Sequence, residues 1–287
     1  TIMGALRILV VSQKGGVGKS TLSANLTAWF SDSVRKKTSL IDLDPHGSSS
    51  SWVNSAREID AEVEHYVASE FGERRWLLGC RTLIRSFSRK VEVLISDLTW
   101  SPAMDPEFLH EFDLVIVPTS VSAIELAGTC KFLESISWVF QAKPGDYPSL
   151  LICPSRVTQE ELSTSPFDKE FLSIPFLLLP PVLHDNQMKT FFKKGFVFDR
   201  PSASCNAFVQ CAEAISQAGV LHKKRTEKNR TKILDRRILD CHNSKLSRFM
   251  SRKKSISNAA STDQFNPSGQ NKLSRISKIL GVTRAHK

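Results

Sequence analysis

The chain has 287 residues, 41% of them hydrophobic, and a formal net charge of +10. That composition suits one sizeable apolar core with an appendage, and no stretch approaches the ~20 apolar residues needed to cross a bilayer. The charge is uneven: from Leu221 onward eighteen Lys and Arg face four Asp and Glu, about +14, which leaves about −4 on everything before it. Six scattered cysteines form no C-x-x-C pair and have no histidine at zinc-ligand spacing, so reduced thiols in a cytosolic setting are expected rather than disulfides or a zinc site. The first apolar run is too short and too soon interrupted for a signal peptide. A cytoplasmic protein is expected.

In chain order, short β-branched runs alternate with segments of helical periodicity. Leu6–Val11 reads as a strand and Lys19–Phe30 as a helix; Ser39–Leu43 is the next strand. Phe71–Phe87 is helical, Val91–Ser96 and Leu114–Val117 are strands, and Ala123–Phe140 is a helix. Leu150–Cys153 and a weaker Pro175–Leu179 complete the strands, and Ala203–Ala218 forms a helix with Ala207, Phe208, Cys211, Ala212 and Ile215 on one face. Runs that are apolar along their whole length predict strands covered on both sides. Alternation with helices predicts an α/β, doubly wound, mostly parallel sheet flanked by helices. Residues 1–220 are expected to form this domain and 221–287 a basic tail, partly helical, with a Ser-, Asn- and Gln-rich linker at Ser255–Asn271 and an amphipathic end at Lys272–Gly281.

The segment from Ser12 to Thr21, Ser-Gln-Lys-Gly-Gly-Val-Gly-Lys-Ser-Thr, follows a predicted strand and opens a predicted helix. Gly15, Gly16 and Gly18 permit a backbone that turns several N–H groups toward one anion, and the helix start adds its dipole. Val17 and Thr21 belong to the same candidate phosphate-binding segment. In such a loop Lys19 reaches the β and γ phosphates and the Ser20 hydroxyl ligates Mg²⁺. Gln13 stands where the general phosphate-loop pattern has its first glycine, and an additional lysine, Lys14, stands inside the loop.

Lys14 to Thr21 resembles the deviant Walker A box of the ParA/MinD family of P-loop ATPases. The resemblance implies ATP and Mg²⁺ as cofactors, slow hydrolysis stimulated by a partner, and a homodimer when ATP is bound, with Lys14 reaching the other subunit's phosphates. Ile41 to Gly47 resembles the family's switch I, with His46 where Gln is common; this implies that Asp44 orients the attacking water and Asp42 lies near Mg²⁺. Val93 to Asp97 resembles Walker B, which implies that Asp97 holds Mg²⁺ through water, although Leu98-Thr99-Trp100 departs from the family's continuation. Asp113–Ile124 resembles a later strand of the family and its following helix, Val182–Gly195 its late surface helix, and Val197-Phe198-Asp199 its closing segment. The resemblance implies adenine contacts from loops after the later strands, for which Pro154 and Arg156 are candidates.

The family positions plasmids, chromosome regions or protein assemblies on a surface. The switch I form and the late segment are more similar to ParA than to MinD, implying nucleoid association, a ParB-like or cargo-adaptor activator, and non-specific DNA contacts through the tail and the C-terminal half. Lys189, Lys193 and Lys194 are candidates for those contacts. Arg74, Arg75, Arg81, Arg85 and Arg89 read as a solvated helical face. The alternative is a MinD-like membrane-associated regulator using Lys272–Gly281 at a lipid interface. A nucleotide-retaining scaffold is a third reading, and an iron–sulfur reductase is disfavoured because no cysteine follows Asp97 closely.

Overall fold

A computed structural model of the chain describes residues 4–67, 73–141, 147–163, 172–229 and 231–232. The contact-dense unit runs through Arg230, and a second unit from Thr231 follows. The Ser255–Asn271 linker and the Lys272–Gly281 end lie outside the described residues.

Eight strands pair in parallel: β1 (Leu6–Ser12), β2 (Thr38–Asp42), β3 (Ala61–His65), β4 (Val93–Thr99), β5 (Leu114–Thr119), β6 (Ser149–Val157), β7 (Leu177–Leu178) and β8 (Val182–Leu183). Seven run in the order β3-β2-β4-β1-β5-β6-β7, and β8 also pairs with β6. The helices are α1 (Lys19–Ala28), continued by a π-helical turn Trp29–Ser33, then α2 (Ser48–Ser55), α3 (Glu73–Phe87), α4 (Ala123–Ser135), α5 (Trp138–Gln141), α6 (Met188–Phe191) and α7 (203–229).

The central strands are apolar throughout because both of their faces are buried. In β1, Leu6, Ile8 and Val10 enter one core while Leu9 and Val11 enter the other, and β4, β5 and β6 alternate in the same way. The first core is closed by α1, α2 and α7, with Phe30, Trp52, Phe208 and Ile215; the second by α3, α4 and α5, with Trp76, Ile84, Phe132 and Phe140. At about 1.5–3 kcal/mol for each fully buried Leu, Ile, Val or Phe side chain, these two layers dominate the stabilisation.

Two elements departed from expectation by being present at all. β3 has alternating acids, Glu62 and Glu64, and lies at the sheet edge, half exposed, where charge discourages further strand pairing. α2 is Ser-rich and starts after Gly47, at φ 60°. Helix α7 continues beyond the division expected at residue 221. Gly219 packs against Leu6, His222 is buried, with Nδ1 3.1 Å from Ser149 Oγ, and Arg225 donates to the Tyr147 carbonyl at 3.2 Å. These contacts keep residues 221–229 on the domain. The expected late helix around Val182–Gly195 is instead β8, a turn and the short α6.

Candidate functional site

β1 lies between β4 and β5, where the sheet order reverses, so the loop after β1 opens into the crevice at the carboxyl ends of the strands. Gly16 and Gly18 adopt φ of 79° and 90°, and open space surrounds the Cβ positions of Gly15 and Gly16. Gly18 caps α1 without a side-chain acceptor, which leaves the first helical N–H groups free for an anion. From β6, Ser155 Oγ donates to the Val17 carbonyl at 2.6 Å and Arg156 donates to the Gly16 carbonyl at 2.8 Å. Arg156 reaches the loop because a register shift between Ser155 and Val157 coincides with its own left-handed φ of 57°.

Beneath the loop, Lys19 is buried, with Nζ 2.8 Å from Asp44 Oδ2 and 2.7 Å from Asp97 Oδ1. Burial works against its ammonium, but the two carboxylates outweigh this and hold its pKa above the ordinary lysine value. Burial likewise raises Asp44, yet hydrogen bonds from Lys19, the Thr99 hydroxyl and the His46 N–H bring it down to about 2. Asp97 is fully buried; desolvation raises its pKa against the pull of Lys19. The Ser49 hydroxyl lies close enough to the carboxylate to lower it slightly.

A cavity of 870 Å³ runs from Lys14, Gly15, Gly16 and Gly18 past Lys19, Ser20 and Thr21 to Asp44, Thr99, Ser155 and Arg156, and on to the segment from Val182 to Asn186. The structure thus brings together the loop residues, Asp44 and Arg156. Pro154 is not among the lining residues: strand alternation turns it to the other face of β6 from Ser155. Asp42, paired in register with Asp97 across β2 and β4, lies beside that carboxylate and also has a structural task. Oδ1 accepts the Asp44 N–H at 3.1 Å and Oδ2 the Ser50 N–H at 2.8 Å, so both of its oxygens cap the loop and the start of α2. Lys14 extends away from this network to lie over Gly128 of α4, where an added Cβ would meet its Cε and Nζ at 2.9 Å. Lys193 and Lys194 are exposed beyond α6, and the Lys189 side chain lies outside the described residues. Arg81 and Arg85 both approach Glu111, at 3.8 and 2.6 Å, so part of that helical face is engaged; the Arg74 side chain is not among those described.

Sequence reasoning missed Thr99, and it placed Ser155 in the candidate adenine segment Pro154-Ser155-Arg156 without its part in holding the loop; the place of Thr99 depends on strand register, since Ser12 pairs with Thr99 and Val10 with Asp97. It also missed the anchoring of the cavity wall. Val197, which lines the cavity, donates its N–H to Asn25 Oδ1 of α1 at 2.7 Å; Trp52 Nε1 donates to the Gly195 carbonyl at 3.0 Å; and Arg57 binds Asp199 at 2.6 Å and Asp32 at 2.5 Å.

The arrangement has known counterparts. Residues 8–266 match the CobQ/CobB/MinD/ParA nucleotide binding domain. Over 141 residues the chain is 38% identical to the maintenance of carboxysome distribution protein A of Halothiobacillus neapolitanus, covering 49% of this chain and 62% of that protein. Over 50 residues it is 48% identical to the chromosome-partitioning ATPase Soj of Treponema pallidum, covering 17% and 19%. The chain therefore spans less than two thirds of the length of these relatives. Among solved structures, an ATP complex of McdA from Cyanothece superposes with a TM-score of 0.57 at 16% identity, over 75% of this chain and 97% of that one, a likeness of fold. With a family match over nearly the whole chain and the family's loop lying at the switch point of a parallel sheet, the protein belongs to the CobQ/CobB/MinD/ParA nucleotide-binding domain family.

Proposed function

We propose that the chain is an ATP hydrolase that dimerises around ATP and Mg²⁺ and positions a cargo, with nucleoid DNA as its supporting surface. The observation that carries this reading is the buried Lys19 held between Asp44 and Asp97 under an open glycine loop. The groups present fit the nucleotide and its metal: helix-start N–H groups with no side-chain cap for phosphate, the Ser20 hydroxyl lining the cavity, and the Asp97 carboxylate beneath it for a hydrated cation. Mg-ATP supplies the transferable phosphoryl group and the charge neutralisation its transfer needs.

The remaining work falls to this chain. Lys19, kept charged, exchanges its two carboxylate partners for phosphate oxygens. Asp44 stays ionised at neutral pH. Its part is to orient a water through a hydrogen bond, with the Thr99 hydroxyl fixing the carboxylate. Ser155 and Arg156 set the loop by holding the Val17 and Gly16 carbonyls. Lys14 lies outside the Lys19 network, which makes it available to a second subunit's phosphates. The two relatives matched in sequence are named for carboxysome distribution and chromosome partitioning, and both names describe positioning. An activating partner of the ParB or cargo-adaptor kind belongs to the same reading.

Among the described residues no helix is long and apolar enough to cross a membrane. The test is co-sedimentation of the full chain with DNA and, separately, with anionic liposomes, with and without ATP. ATP-dependent pelleting with DNA is expected. ATP-dependent pelleting with liposomes alone would replace the nucleoid reading by the membrane one.

A further inference from the structure

The end of the sheet opposite the phosphate loop is a separate, strongly basic surface. Strands enter there, and α1, α3 and α7 bring their carboxyl-terminal ends to it. Arg35 and Lys37 precede β2, Arg89 precedes β4, and Lys224 and Lys228 lie on the last turns of α7; all five are exposed. Backbone contacts bring these segments together. The Glu92 N–H donates to the Lys37 carbonyl and the Leu6 N–H to the Glu92 carbonyl, each at 2.8 Å, while Lys223 Nζ donates to the Gly4 carbonyl at 2.9 Å. Lys223 also contributes to lowering the pKa of Glu92, behind the larger effect of Lys36, so α7 adjoins the loop before β4.

The neighbouring acids are already engaged. Glu92 pairs with Lys36 at 2.7 Å, and Asp113 accepts two hydrogen bonds from the Arg7 guanidinium, at 2.7 and 3.3 Å, beside His222. Glu227 has partners of its own, and Glu58 and Asp60 bound the patch on the β3 side. Arg35, Lys37, Arg89, Lys224 and Lys228 have no carboxylate in ion-pair range among the described residues. Basic residues after helices complement the helix dipole, but each helix end draws only about half a charge. Three helix ends leave most of this excess unneutralised, on a domain whose part before Leu221 carries about −4.

We infer that this end of the domain is a docking surface for the phosphate backbone of double-stranded DNA. The inference rests on the DNA-surface reading above and deepens it by locating a contact. Clustered exposed cations suit the dense charge of a duplex, and contacts to phosphate carry no sequence preference. In sequence, residues 231–287 hold thirteen Lys and Arg against three Asp and Glu, so the positive charge continues along the chain. A lipid surface would favour aromatic or bulky apolar groups among the cations; α7 exposes Val220 and Leu221, a small area. Each subunit carries one such surface. Dimerisation pairs two of them and raises DNA affinity through avidity.

The test uses the full chain carrying Lys37→Glu, Arg89→Glu and Lys224→Glu together. These side chains are exposed and unpaired, so ATP turnover and the thermal midpoint should match the parent. Binding to a duplex of unrelated sequence is measured by fluorescence anisotropy against salt concentration, with ATP and without nucleotide, and in parallel to phosphatidylglycerol vesicles. Loss of three phosphate contacts should lower the slope of log affinity against log salt by nearly three, at ~0.9 per contact, and weaken binding at least tenfold at physiological salt. This loss should be read with ATP, the state in which the parent is expected to bind. Unchanged affinity and slope, beside a parent that binds DNA when ATP is present, would overturn the surface and leave the function reading intact. A parent that binds no DNA in any state would overturn both. Loss of vesicle binding with DNA binding retained would assign the surface to anionic lipid and overturn the inference.

Discussion

Asp44 concentrates the chemistry of the site in one carboxylate. Its Oδ2 accepts from Lys19 and Thr99 and its Oδ1 from the His46 N–H, and the result is a pKa lowered from 3.8 to about 2. A group depressed on folding contributes stability above its unfolded pKa and loses it as pH falls through the folded one. A shift of this size corresponds to about 2 kcal/mol in the nucleotide-free protein, present at neutral pH, declining below about pH 4 and gone near pH 2. Asp44→Asn should therefore be less stable than the parent at pH 7, with the gap closing as pH falls toward 2 in denaturant titrations. A gap that stays constant with pH would remove the ion pair from the stability of the site. The same variant should bind ATP, dimerise and hydrolyse orders of magnitude more slowly, as expected for loss of a positioning group; parental turnover would take Asp44 out of the mechanism. Asp42 contrasts with it. Two residues away and just as buried, it holds two backbone N–H groups, a difference that spacing alone does not reveal.

Elements that carry their own signal were legible in the sequence. The phosphate loop is local, so its glycines, Lys19 and Ser20 are read from adjacent residues, and the central strands announce themselves by being apolar on both faces. What could not be read depends on partners distant in sequence. α2, with four consecutive serines, is stabilised by Asp42 from β2 and by Trp52 buried under the 191–196 segment, with Phe192 edge-on to its ring at a 5.6 Å centroid distance. Arg156 was a candidate for the cavity on position alone, and its reach follows from a bulge with positive φ; Pro154, next to Ser155, is turned away by strand alternation. α2 also joins switch I to the far wall of the cavity, since Asp44 precedes it and Trp52 and Arg57 grip Gly195 and Asp199 after it. Trp52→Phe keeps the ring contact but leaves the buried Gly195 carbonyl without its donor. It should cost about 1–3 kcal/mol and speed amide hydrogen exchange over residues 191–199 more than in the core strands. Uniform acceleration across the protein would argue against a local anchor.

For the whole molecule, charge and chemistry are separated. The nucleotide end of the sheet gathers Lys14, Lys19 and Asp44 around one cavity, with Asp97 buried beneath Lys19, and the opposite end collects exposed cations with few carboxylates to neutralise them. Under the proposed function, this division leaves one end for a nucleotide-gated association between subunits and the other for a polyanion. The central claim is that association, and it depends on Lys14, which lies over Gly128 in the single chain and has no carboxylate partner there. Light scattering of the full chain with a non-hydrolysable ATP analogue and Mg²⁺ tests it most directly. The account predicts a doubling of mass with nucleotide, abolished by Lys19→Ala through loss of binding and by Lys14→Ala with nucleotide binding largely kept; the same mass with and without nucleotide in the parent chain would contradict it.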